Sequence, residues 1–201
     1  MNKKINKLIQ EFGQTYSEEL GIDLESKKSG EIFKWFLASI LFGKRIGENI
    51  AKSTYMEFKK EGILTPRRIL NAGWDRLVKI LDAGGYVRYD YSTATRLLGI
   101  CKNLLEWYGG SLLNLHNSSK NPRDLEKRLQ MFKGIGPVTT NIFLREMRTI
   151  WKKADPEPSE RIKKAAQKLG ISIKNINRKT KSFARLECAL LRWGKNAHRR
   201  N

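Results

Sequence analysis

Apolar residues along this chain recur at spacings of three and four nearly from end to end. Ile5, Leu8, Ile9 and Phe12 form one stripe, and Phe33, Phe36, Leu37, Ile40 and Leu41 form a denser one. Leu97, Cys101, Leu104, Leu105 and Tyr108 make a third, which runs into the natural helix stop Gly109-Gly110, and Phe183, Leu186, Leu190 and Trp193 mark a last. Such spacing puts side chains on one face of an α-helix, whereas a half-buried strand needs strict alternation, which no segment shows. The pattern predicts an all-α chain of roughly nine or ten short helices, with turns at Gly62, Gly73, Gly84-Gly85, Gly109-Gly110 and Gly170. There is no internal repeat and no low-complexity linker, and the aromatic stripes read as core.

One segment breaks this regularity in an informative way. In Phe132-Lys133-Gly134-Ile135-Gly136-Pro137-Val138-Thr139-Thr140-Asn141, two glycines bracket one apolar residue just before a proline. Glycine admits the positive backbone angles of a tight turn, and Pro137 suits a first helical turn, where its missing N–H costs nothing. Phe143, Met147 and Ile150 supply the apolar face of the helix that follows, while Leu125, Leu129 and Met131 suit a short amphipathic helix over 122–131 before it. The turn leaves unpaired N–H groups at a helix start, which is a site for a phosphate oxygen. A glycine-rich loop at a helix start, with no ligand, fits the same residues.

Charge shifts that balance. The chain carries 40 Lys plus Arg against 20 Asp plus Glu, a formal net charge of +20 over 201 residues, and a protein this basic usually faces a polyanion. The excess gathers towards the end, where residues 171–201 hold Lys174, Arg178, Lys179, Lys181, Arg185, Arg192, Lys195, Arg199 and Arg200 against Glu187 alone. A solvated basic tail would look similar, but beside a phosphate-holding turn the asymmetry favours nucleic acid. The longest apolar stretch, Trp35 to Phe42, is interrupted by Ser39 and is far too short for a bilayer, and the N-terminus lacks a signal-peptide core. An intracellular, cytoplasmic protein is expected. Cys101 and Cys188 are too few for a disulfide framework, a four-cysteine zinc site or a cysteine-ligated iron–sulfur cluster, and read as buried reduced thiols.

Helix, Gly-Ile-Gly turn and helix resemble the helix-hairpin-helix element of nucleic-acid proteins. The order of the segments 33–58, Gly84-Gly85-Tyr86, 104–110 and the turn resembles the helix-hairpin-helix DNA glycosylase superfamily, which includes endonuclease III and the inducible 3-methyladenine glycosylase of bacteria. The likeness spans about residues 30–170. It implies one domain of two helical lobes around a cleft, about 40–130 in one lobe and 1–39 with 131–201 in the other. The superfamily also places an essential aspartate after the hairpin, and Asp155 stands in Lys153-Ala154-Asp155-Pro156-Glu157-Pro158-Ser159, just ahead of the helical stretch 160–169. Breaking a base–sugar bond builds positive charge on the deoxyribose, which an ionised carboxylate stabilises while orienting the attacking water. Without the resemblance, Asp155 would be an ordinary acid near a helix start.

The resemblance further implies that Lys133, Gly134, Ile135, Gly136, Val138, Thr139 and Thr140 meet the DNA backbone, with Lys44 and Arg45 at the position of a wedge residue. Tyr86, Arg88, Tyr89 and Tyr91 fall on the loop expected to face a flipped base, where they either stack on it or pack between helices. Members that also cut the strand carry a lysine four residues after the first hairpin glycine, for Schiff-base chemistry; this chain has Val138 there. The expectation is a monofunctional glycosylase of base excision repair. It would act as a monomer on double-stranded DNA with an alkylated, deaminated or oxidised base. No resident cofactor or iron–sulfur cluster is expected, only a monovalent cation at the hairpin. A non-catalytic DNA-binding protein and an abasic-site lyase are the alternatives.

Overall fold

A computed structural model describes residues 3–198, and the side chains of 3–196. In chain order the helices are α1 (Lys3–Phe12), α2 (Tyr16–Glu19), α3 (Ser29–Phe42), α4 (Glu48–Lys60), α5 (Pro66–Ala83), α6 (Asp90–Tyr108), α7 (Leu112–Ser118), α8 (Pro122–Gln130), α9 (Pro137–Glu146), α10 (Glu160–Lys168) and α11 (Lys181–His198). No strand occurs among the described residues, so the all-α expectation holds. The predicted turns at Gly62, Gly73, Gly85, Gly109, Gly110 and Gly170 all have positive φ. Gly73 (φ 71°, ψ 174°) divides α5 into two helical pieces, which the sequence pattern anticipates.

The chain divides into two compact units, one formed by the described residues of Met1–Gly21 and Leu144–Asn201, the other by Ile22–Phe143. The second unit is built on α3, the longest apolar stretch of the sequence. Residues 35–41 of this helix are all buried, among them Ser39, whose hydroxyl donates to the Trp35 carbonyl at 2.8 Å and so needs no water. The buried Trp35 indole donates to the Phe143 carbonyl at 3.0 Å. Around α3 pack α4 and α7, and the long helices α5 and α6 lie against each other.

In the first unit, α1 and α10 both pack on α11 through Ile5, Leu8, Ile162, Leu186 and Leu190. Short α2 is held by a reciprocal cap. The Thr15 hydroxyl accepts from Glu18 N–H at 3.3 Å, and the Glu18 carboxylate accepts from Thr15 N–H at 3.2 Å. Helix α9 is shorter than its apolar pattern suggests. It ends at Glu146, and the chain tightens through Met147 N–H to Leu144 O (3.1 Å) and Ile150 N–H to Met147 O (3.0 Å). Met147 is buried nonetheless.

Candidate nucleic-acid interface and carboxylate site

The turn between α8 and α9 is pinned from below and open above. Asn121 caps α8 by accepting from Asp124 N–H at 3.0 Å, with Pro122 at the first helical position. Phe132 is fully buried, stacked on Trp107 at 5.5 Å between centroids, tilted against Phe36 and edge-on to Tyr108. Ile135, also buried, donates its N–H to the Phe132 carbonyl at 3.0 Å. Between these anchors Lys133 and Gly134 face solvent, and Gly134 has φ 98°, which a side-chain-bearing residue rarely adopts. The amides of Gly134, Gly136, Val138 and Thr139 have no hydrogen-bond partner among the described residues. They sit where α9 begins and its dipole is positive.

Not every residue expected at this surface presents its side chain there. Ile135, Thr139 and Thr140 are buried, so only their backbone can reach a ligand. The Thr139 hydroxyl instead fills the space beside Gly43, where a methyl group would come within 2.1 Å of it. That contact sets the loop carrying Lys44 and Arg45 against the first turn of α9. Val138 is 63% exposed.

A residue that sequence reasoning missed completes the cluster. Arg96 of α6 lies across Gly134, with its Cδ 2.6 Å and its Nε 3.2 Å from where a Cβ on that glycine would be. Burial and the neighbouring Arg96 charge together push the Lys44 amine below the usual lysine range. Neither cation has a carboxylate partner among the described residues. Only the charge of Arg96 was visible in the sequence, because its approach to Gly134 bridges 38 positions.

The four-residue set proposed for a base is split by the structure. Tyr86 is fully buried, and its hydroxyl donates to the Leu41 carbonyl at 2.7 Å, so this tyrosine is a core residue and its assignment to a base pocket is corrected. Burial raises its pKa far above the ordinary phenol. Tyr89 is partly buried with the Arg88 guanidinium 5.5 Å over its ring. Tyr91 is 62% exposed and pairs with Trp74 at 5.2 Å between centroids. Trp74, whose indole donates to the Thr95 hydroxyl at 3.0 Å, is the aromatic that the sequence reading passed over, since it stands alone after the Gly73 break.

Asp155 lies in the first unit, in the extended segment before α10, whose N-cap is Ser159. Both carboxylate oxygens are engaged. Oδ1 accepts from Arg148 Nη1 at 2.7 Å and Oδ2 from Arg178 Nη2 at 2.9 Å, and the side chain keeps 26% exposure. Arg148 has none: its other edge makes a two-pronged pair with the buried Glu187, Nε to Oε2 at 3.2 Å and Nη2 to Oε1 at 3.1 Å. Burial pushes the Glu187 carboxyl up against the downward pull of Arg148. Arg178 also holds Glu157, and the Lys179 amine donates to the Lys152 and Ala154 carbonyls just before Asp155. Arginine, with a flat fork of donors, is suited to serve two carboxylates at once. Asp155 forms part of the wall of a cavity of about 900 Å³ that isoleucines 171, 173 and 176 line on the apolar side.

These pairings also reassign much of the basic C-terminal segment. Lys181 and Arg185 reach Glu18 at 3.2 and 3.0 Å, and Arg192 reaches Glu19 at 3.0 Å. Arg192 further donates to the carbonyls of Phe12 and Gln14. Three charges that read as a ligand-facing tail are therefore spent within the unit; Arg199 and Arg200 lie outside the described residues. Cys101 and Cys188 are buried and free, with both thiols pushed up by burial. Among the described residues no three His, Cys, Asp or Glu side chains are grouped as a metal ion would require. No helix among them is long and apolar enough to cross a membrane.

No known family profile matches the chain, and no curated protein matches it in sequence. Its fold does have a counterpart. The crystal structure of the Helicobacter pylori 3-methyladenine DNA glycosylase MagIII, bound to 1,N6-ethenoadenine, superposes with a TM-score of 0.55 over 98% of this chain and 99% of that one, at 14% identity. The chain thus shares the fold of a DNA glycosylase over nearly its whole length.

Proposed function

We propose that the protein is a DNA glycosylase that removes a damaged base with water as the nucleophile. The observation that carries the reading is Asp155, a carboxylate fixed through both oxygens yet still partly exposed on a cavity wall, in a chain with a glycosylase fold. Fold alone would not decide the matter, since one fold serves many chemistries. The residues supply the rest. Gly134, Gly136 and the start of α9 offer free amides to a DNA phosphate, and the net charge of +20 favours the polyanion.

In this reading the unit 22–143 grips the backbone through the turn, as a helix-hairpin-helix element does, and Asp155 serves the chemistry. As the base departs, the sugar becomes an oxocarbenium-like cation. Asp155 stabilises that charge and accepts a proton from the attacking water. Arg148 is locked by Glu187, so one oxygen of the carboxylate is held by a guanidinium that is itself fixed. Alkylated purines are the first substrates to test, because MagIII is a 3-methyladenine glycosylase and a positively charged base leaves without needing a strong acid. With Val138 where the lyase branch has its lysine, no amine is supplied there for strand cutting.

The test is a panel of duplexes, each with one alkylated, deaminated or oxidised base. One of them should lose its base and leave an intact strand, cleaved only after alkali. Asp155→Asn should slow single-turnover release by about a hundredfold or more while duplex binding is kept. Binding without release on every duplex would favour the non-catalytic alternative, and efficient borohydride trapping would favour the lyase.

A further inference from the structure

The turn at Gly134 does not stand bare. Arg96 covers the face that glycine leaves open, and a methyl group there would meet its Cδ at 2.6 Å. On the neighbouring side, Gly43 abuts Thr139 and so brings Lys44 to the first turn of α9. Arg96 and a row of unpaired amides meet at Gly134, and Lys44 lies close enough to feel the Arg96 charge, with no carboxylate partner for either cation among the described residues. Lys44 pays for this in desolvation and in repulsion from Arg96. Elsewhere the chain pairs its buried or half-buried cations, as Arg148, Arg178, Arg185 and Arg192 show. An uncompensated pair is therefore a departure from its own habit, and a departure that a bound anion relieves.

We propose that Arg96 and Lys44 form, with the amides of the turn, a two-cation site for a single backbone phosphate of DNA, and that Gly134 is glycine partly to let Arg96 lie across it. The proposal rests on the DNA-binding reading above and gives that reading a residue, Arg96, and a geometry. The guanidinium meets the phosphate as a planar fork, Lys44 as a point charge, and the amides from the helix start.

The experiment measures affinity of the full-length protein for an undamaged labelled duplex across a potassium chloride series. Wild-type protein should bind with a steep linear fall of log K against log salt. Arg96→Gln and Lys44→Gln should each weaken binding about tenfold at low salt. The double variant should lower the slope by only about 0.9, the value of one phosphate. Gly134→Ala should reproduce the loss of Arg96→Gln, and adding it to Arg96→Gln should cost little more, because both remove the same arginine contact. Circular dichroism shows whether each variant is folded, and should the alanine variant fail to fold, the Arg96 and Lys44 variants decide alone. Lys79→Gln, an exposed charge on α5, should leave the slope unchanged. Steep wild-type binding with an unaltered slope in the double variant overturns this site but not the parent reading. An equal loss in Lys79→Gln reduces the effect to overall charge and also overturns it, and no salt-dependent duplex binding by the wild type removes both.

Discussion

Arg148 is the residue on which the carboxylate site depends most. It has no exposure, sits 5.4 Å over the Phe183 ring, and divides its donors between Glu187 and Asp155. Truncating one partner of a buried pair leaves the other charge stranded, which costs about 3–5 kcal/mol, whereas replacing both by apolar groups is often neutral. Arg148→Met should therefore lower the urea unfolding free energy by about that amount, and Arg148→Met with Glu187→Met should recover most of it. A single variant within about 1 kcal/mol of wild type would mean that water already reaches the pair. The place of Asp155 just before α10 was legible from the sequence. Its two arginines were not, because Arg148 precedes it by seven residues and Arg178 follows it by 23 across a helix and a loop.

At the scale of elements, α2 shows how one side chain can serve two helices. Glu18 closes the cap on Thr15 and also receives Arg185 and Lys181 from α11. Burial, the largest single influence, pushes its carboxyl up, but Arg185, the Thr15 amide and Lys181 together hold it below the ordinary range. A carboxyl lowered on folding adds stability above its unfolded pKa and loses it as pH falls through the folded value. Glu18→Gln should thus be less stable than wild type at pH 7, and the gap in melting temperature should close as pH drops below about 4. A gap of constant size from pH 7 to pH 3 would show that the charge of Glu18 contributes nothing. The elements themselves were mostly readable: α1, α3, α6 and α11 fall on their apolar stripes, α8 and α10 on the expected helical stretches, and α6 and α10 end at expected glycines. Helix α9 was overextended, since an apolar residue at the right spacing does not distinguish a full helix from the tighter turns after Glu146.

For the molecule as a whole, charge makes a prediction independent of any single residue. With a net charge of +20 and contacts made through amides and cations to phosphate, affinity for undamaged duplexes should vary by less than about threefold between unrelated sequences of equal length. Competition between such duplexes measures this, and a strong preference for one undamaged sequence would point to base-edge readout instead. The pairing of Lys181, Arg185 and Arg192 with acids of α2 shows that total charge overstates what faces a ligand. The salt slope should accordingly be far smaller than the net charge.

Helical periodicity, the glycine turn with its proline, the basic excess and the place of Asp155 before α10 follow from the sequence alone, because each expresses local geometry or simple composition. A spacing of three and four residues imposes one face whatever the rest of the chain does. What surrounds those local features was decided only by packing. Tyr86 and Tyr91, five residues apart with the same chemistry, part company because one hydroxyl meets the Leu41 carbonyl inside the core and the other ring stays at the surface against Trp74. Arg96 reaches Gly134 and Arg148 reaches Glu187 for the same reason: burial and pairing are set by segments that are distant in the chain and adjacent in space, which no run of neighbouring residues encodes.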